Sequence, residues 1–174
     1  LGGMIREARA AGADFITTPE CAAMIEVGRD NIRAKAFVED AHPALDAFRG
    51  WAVETGAWLL AGSLSVLIEG EERLANRQYL IDPTGAIAAH YDKIHMFDVD
   101  LGGESYRESD NFAHGERAVL AQTPWGGLGM TICYDLRFPA LYRTLAQGGA
   151  SLLAIPSAFT VPTGGAHWHV LLRA

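Results

Sequence analysis

The sequence predicts a layered α/β fold, and three features predict it. Helix-like and strand-like patterns alternate along the chain. The length of 174 residues fits one domain. An apolar fraction of 49% is enough for a substantial core.

The elements follow in order. Residues 3–11 read as a helix, with Met4, Ile5 and Ala8 at helical spacing and Gly12 as the stop. Residues 14–18 form a short apolar strand halted by Pro19. Residues 43–55 are a helix with Pro43 in its first turn and Leu45, Phe48 and Ala52 on one face. Residues 57–68 are a strong strand, followed by the charged turn Glu69-Gly70-Glu71-Glu72. Residues 76–81 and 86–91 pair as a hairpin around Asp82-Pro83-Thr84-Gly85. Residues 94–116 are polar, contain Gly and lack periodicity, which predicts a long loop of the kind that often carries function.

Residues 118–122 and 128–132 read as strands around Pro124-Trp125-Gly126-Gly127. A helix over 136–147 is closed by Gly148-Gly149, and the strand 151–155 ends at Pro156. A last helix covers 168–173. No repeat, low-complexity tract or linker interrupts residues 1–174, so they form one domain. One sheet is expected from 14–18, 57–68, 76–81 and 86–91. A second is expected mainly from 118–122, 128–132 and 151–155. The run 151–155 is continuously apolar, the pattern of a strand covered on both faces.

Composition narrows the function classes. Lys and Arg total 14 against 21 Asp and Glu, a net charge of −7, and no basic run exceeds two residues. Neither nucleic acid nor an anionic membrane is an expected partner. The apolar runs fall well short of a membrane span, and no signal peptide opens the chain. Cys21 and Cys133 are too few for a disulfide framework and fit a reducing cytoplasm. The six histidines form no HExxH pattern, and no Cys-x-x-Cys occurs, so no metal is expected. The chain begins Leu1-Gly2-Gly3 without an initiator Met and stops at Ala174 inside a helical pattern, which reads as a fragment.

Three residues could carry chemistry. Cys133 sits where an apolar strand meets a helix, in Ile132-Cys133-Tyr134-Asp135-Leu136-Arg137-Phe138-Pro139. Such a turn projects a nucleophile and aims free N–H groups at what it attacks, and a helix start favours a thiolate. The competing fate is a buried structural cysteine. Glu20 lies just past a strand end, suited to general acid–base work, or else it is a solvated loop residue. Lys93 follows the strand ending at Tyr91-Asp92, as a surface charge or as a cation aimed at developing negative charge. Three such residues past separate strand ends can converge on one rim. Arg137, four residues after Cys133, could bind a carboxylate bidentately or pair with one at the surface. Cys21 lacks a strand-to-helix turn and reads as packing.

The set Thr18-Pro19-Glu20, Tyr91-Asp92-Lys93-Ile94-His95 and Cys133-Tyr134-Asp135-Leu136-Arg137-Phe138-Pro139 resembles the Glu–Lys–Cys triad motifs of the nitrilase superfamily in order and spacing. The resemblance continues through Tyr79 to Gly85, Pro156-Ser157-Ala158-Phe159, Gly165-Ala166-His167-Trp168 and Val170-Leu171-Leu172-Arg173-Ala174. It covers essentially the entire chain. The Cys-Tyr-Asp-Leu-Arg-Phe-Pro form is similar to the Nit branch, which includes ω-amidases and deaminated-glutathione amidases. Where that branch usually has Pro-Ala-His-Trp-Glu, this chain has Gly165-Ala166-His167-Trp168-His169.

The resemblance implies an αββα sandwich, often paired into an eight-layer dimer, here truncated at both ends. It implies hydrolysis of a small, carboxylate-bearing linear amide through a Cys133 thioester, with Glu20 as base and no cofactor. Lys93 and the Tyr134 N–H would form the oxyanion hole. Glu108 matches a second glutamate that holds the lysine and orients the substrate. From its own surroundings it reads as a charged loop residue. An N-carbamoyl-amide hydrolase or a nitrilase would use the same triad, and a glutamine-amidotransferase domain remains open. A catalytically idle binding protein of the same fold is the alternative from a different class.

Overall fold

The computed structural model describes residues 1–174, the side chains at 101 and 104 excepted. The elements run α1 (Gly2–Ala10), β1 (Phe15–Thr17), α2 (Arg29–Lys35), β2 (Phe37–Val38), α3 (Pro43–Thr55), β3 (Trp58–Leu67), β4 (Leu74–Ile81) and β5 (Ile87–Asp92). They continue with β6 (Asp98–Leu101), β7 (Glu104–Arg107), β8 (Val119–Thr123), β9 (Gly126–Met130), α4 (Pro139–Gln147), β10 (Ala150–Ala154) and α5 (Val161–Arg173).

The first sheet runs β1-β3-β4-β5, with β2 paired to the far end of β3. β1 and β2 lie parallel to β3, and the β3-β4-β5 pairs are antiparallel. The second sheet runs β10-β9-β8, with β10 parallel and β8 antiparallel to β9. One core lies between the first sheet and its helices, where Ile5 of α1 and Leu45, Phe48 and Ala52 of α3 meet Leu59, Tyr79 and Ile81. A second core lies between the sheets, where Leu60, Leu80 and Tyr91 meet Leu128, Met130 and Ile132. α4 covers the outer side of the second sheet, with Leu145 close against Gly129. The layers are therefore helix, sheet, sheet, helix, as the amphipathic faces of α1, α3 and α4 require.

β3 shows how the sheet serves the site. Leu59 and Ala61 face the helices and Leu60 faces the second sheet, the alternation of a strand buried on both sides. A register shift between Ala61 and Leu64 reverses the parity, so that Leu64 and Val66 rejoin the helix-side core. Ser63 then accepts the N–H of Cys21 at 2.9 Å, beside Glu20.

Three expectations need correction. Residues 94–116 are not one unstructured loop: β6 and β7 pair as a hairpin, and a short 3-10 turn (Glu108–Asp110) follows. Their short, polar strands carry no continuous alternation to read. The helix over 136–147 is two pieces, a 3-10 turn (Cys133–Arg137) and then α4, because Pro139 restarts the helix at its own first turn. The last helix begins at Val161, not 168, with Thr160 as N-cap accepting from the Thr163 N–H at 3.4 Å. Its Pro162, Gly164 and Gly165 mask the periodicity. β10 is an edge of its sheet in the described chain, with Leu152 and Leu153 exposed.

Candidate active site

Glu20, Lys93 and Cys133 come from three separate strand ends and line one cavity of about 540 Å³. Glu108, Tyr134 and Arg137 line it as well.

Glu20 reaches the cavity because the chain after β1 crosses β3 at Gly62. A Cβ there would collide with the carbonyl oxygens of Thr18 and Pro19, so glycine is needed for the crossing. The Glu20 carboxylate is buried and held at both oxygens. One accepts from Lys93 Nζ at 3.2 Å and Asn76 Nδ2 at 3.1 Å, and the other from the Ala158 N–H at 2.9 Å.

Lys93 follows β5, and its own N–H donates to the Asn76 carbonyl at 3.0 Å. The next strap of chain closes over it: the Gly115 N–H donates to the Lys93 carbonyl at 2.8 Å, and a Cβ at Gly115 would strike the Asp92 carbonyl. Lys93 is 2% exposed, so its charge must be matched inside. Nζ donates to both oxygens of Glu108, at 2.9 and 2.8 Å, as well as to Glu20. Burial alone would lower its pKa, but Glu20 and then Glu108 outweigh burial and raise it, so Lys93 is an ammonium. Glu108 is in turn fixed by the Phe97 N–H at 2.7 Å and by Asn76 at 3.3 Å.

Cys133 opens the 3-10 turn with φ 50, a left-handed conformation that a non-glycine residue seldom adopts. The turn is pinned by the Cys133 N–H donating to the Pro156 carbonyl at 2.9 Å. Among the described residues the next N–H, that of Tyr134, has no acceptor, as expected at a helical start. The expected thiolate is corrected here. Burial and then the charge of Glu20 push the Cys133 thiol well above its ordinary value, against the opposing pull of Lys93. One short 3-10 turn does not offset that, and the resting group is a thiol.

Arg137 forms a wall of the cavity. It donates to His167 Nδ1 at 2.9 Å, and its guanidinium lies 5.4 Å from the Tyr134 ring centre. Its Nε is buried without a partner in the described residues. The divergent stretch near His167 thus carries a residue that holds Arg137. Cys21, read as packing, also lines the cavity beside Glu20, and burial followed by the charge of Glu20 pushes its thiol up to about 11.

Sequence reasoning passed over Asn76 and the Ala158 N–H. Asn76 lies in β4 as an ordinary strand residue, and only its Nδ2, placed between Glu20 and Glu108, marks it. Ala158 has no functional side chain at all. Among the described residues no group of three or more His, Cys, Asp or Glu is placed to hold a metal, and no helix is long and apolar enough to cross a membrane.

A helix–sheet–sheet–helix stack with a buried lysine between a buried and a half-buried glutamate, and a cysteine on a strained turn, defines the class, and the chain belongs to the carbon-nitrogen hydrolase family, whose profile matches residues 2–174. It is 41% identical over 167 residues to the deaminated glutathione amidase of Yersinia enterocolitica, covering 94% of this chain and 58% of that protein. It is 35% identical over 175 residues to the omega-amidase NIT2 of Homo sapiens, covering 98% and 60%. The NitFhit protein of C. elegans superposes with a TM-score of 0.88 at 34% identity, covering 99% of this chain and 42% of that one. The chain spans about three-fifths of the length of these two amidases.

Proposed function

We propose that the protein hydrolyses a small, carboxylate-bearing linear amide to acid and ammonia through a thioester on Cys133. The observation that carries this reading is the convergence of Glu20, Lys93, Glu108 and Cys133 on one cavity, with the lysine ammonium between the carboxylates. Amidase names among the relatives support it.

The resting thiol sets the order of events. Glu20 takes the Cys133 proton as the sulfur attacks the amide carbonyl, so no free thiolate accumulates. Lys93 Nζ and the Tyr134 N–H stabilise the oxyanion, and each such donor is worth about 10²- to 10³-fold in rate. Glu20 gives its proton to the departing nitrogen, and ammonia leaves. It then takes a proton from water, whose oxygen attacks the thioester, and returns that proton to sulfur as the acid departs. Arg137, in the cavity wall, takes the substrate carboxylate through its guanidinium. The chemistry requires no cofactor. Two unpaired cysteines fit a cytoplasmic setting, and a homodimer is the assembly that the family resemblance implies.

The test is ammonia release from short linear amides, with and without a terminal carboxylate, by the full-length protein. Activity on carboxylate-bearing amides, lost in Cys133→Ala, supports the reading. Carbon dioxide released with the ammonia would replace it with carbamoyl hydrolysis, and ammonia from Cys133→Ala would overturn the nucleophile.

A further inference from the structure

Asp135 is fully buried, two residues after Cys133, and the proposed reaction gives it nothing to do. Its carboxylate nevertheless accepts four hydrogen bonds. One oxygen takes the Ile132 N–H at 2.8 Å and the Tyr91 hydroxyl at 2.7 Å. The other takes the His95 N–H at 3.1 Å and His95 Nδ1 at 2.7 Å. Nδ1 therefore carries the proton in that contact.

The origin of these donors is what matters. Tyr91 and His95 flank Lys93, two residues to either side, and Ile132 and Asp135 bracket Cys133. The Tyr91 hydroxyl also accepts the Ile94 N–H at 3.2 Å, and the His95 ring stacks on Phe138 with centroids 3.6 Å apart. The segment bearing the cation and the turn bearing the sulfur are thus tied through one carboxylate, across about 40 residues of chain.

We infer that Asp135 is a positioning residue, whose carboxylate sets the placement of the Lys93 ammonium relative to the Cys133 sulfur. This rests on the thioester reading of the site. A carboxylate that merely capped the 3-10 turn would need one oxygen, on the Ile132 N–H. Here the second oxygen is committed to the lysine segment.

Asparagine is the informative replacement. Each oxygen of Asp135 meets a backbone N–H, from Ile132 on one side and His95 on the other, and neither can reverse its role. An amide NH₂ therefore faces a donor whichever way it turns. Tyr91→Phe is the second variant. It removes one tie to the lysine segment, leaves the cap on Ile132 intact and changes no charge.

The experiment uses the full-length protein with two readouts. For amide hydrolysis, both variants should lower kcat by about tenfold to a hundredfold, the scale of a small misplacement, with KM little changed. The second readout is Cys133 alkylation by iodoacetamide followed against pH, with the modified peptide identified by mass. Lys93 draws the thiol toward ionisation, so a displaced ammonium moves the profile to higher pH in both variants. Loss of the Asp135 charge by itself would move Asp135→Asn the opposite way. Slower alkylation with the profile at higher pH in both supports the inference. An unmoved profile in Tyr91→Phe, or a lower one in Asp135→Asn, overturns it even if both variants melt earlier. Should no amide be turned over, the alkylation profiles decide the role of Asp135 by themselves, while the amidase reading fails separately.

Discussion

Lys93 Nζ donates to both carboxylate oxygens of Glu108, at 2.9 and 2.8 Å, although Glu108 lies on a separate hairpin–turn segment 15 residues further on. Glu20 completes the cage from 73 residues before Lys93. The cage keeps a buried ammonium charged, and Glu108 takes two of the three Nζ hydrogen bonds to its carboxylates.

Glu108→Gln is isosteric and should still fail. Each Glu108 oxygen accepts from Lys93 and also from a second donor, Asn76 or the Phe97 N–H. The new NH₂ must face donors in either orientation. Turnover should fall about 10²-fold or more. Stability should fall by less than about 3–5 kcal/mol, the cost of breaking a fully buried ion pair, because Glu20 still faces the ammonium. Steady-state assays and denaturant melts check both, and a variant with native turnover would remove Glu108 from the site.

Cys133→Ala should reduce turnover to background, because no other thiol sits on the strained turn beside the Tyr134 N–H. Cys21→Ala should lose far less, since its backbone N–H to Ser63 survives the change. Equal losses from the two would reassign the nucleophile.

Gly62→Ala tests the crossing that carries Glu20. The added methyl meets two backbone carbonyls that cannot rotate away, so β1's exit must shift. Stability should drop by about 1–3 kcal/mol. Turnover should drop by more than that destabilisation explains at assay temperature, because the base moves with the backbone. Unchanged kcat in a folded variant would show that Glu20 tolerates the displacement.

Stability should decline on the alkaline side, and Cys21 gives the window. Its thiol is raised from an ordinary 9.0 to about 11 in the folded chain. Above pH 9 the unfolded chain loses this proton while the folded chain keeps it, so the unfolded state binds fewer protons and stability falls as pH rises. The fall ends near pH 11 and amounts to about 2–3 kcal/mol from this group. Cys133 is raised in the same sense and adds to the decline. Denaturant melts across this range should show a shallower fall for Cys21→Ala than for the parent, and parallel curves would contradict the shift.

Much of the scaffold was legible in local pattern. α3 runs over Pro43–Thr55 as its apolar face and Pro43 predict, and the strands of both sheets lie within about two residues of the expected ones, at the usual uncertainty of element ends. Periodicity suffices there because one buried face recurs over many residues. α2 and β2 left no such signal, being seven and two residues long. The polar β6–β7 hairpin left none either.

The sequence by itself determined which groups could react: a glutamate, a lysine and a cysteine, each just past an expected strand end, with Glu108 added only by the family resemblance. It did not determine who holds them. The Nδ2 of Asn76 finds Glu20 across 56 residues, the Ala158 N–H finds it across 138, and Asp135 reaches His95 across 40. Nor did it show that the Cys133 thiol stays protonated, since that follows from burial and the nearby Glu20 charge. Hydrogen-bond partners and local dielectric depend on which segments the folded layers bring within about 3 Å, and spacing along the chain carries no record of that distance.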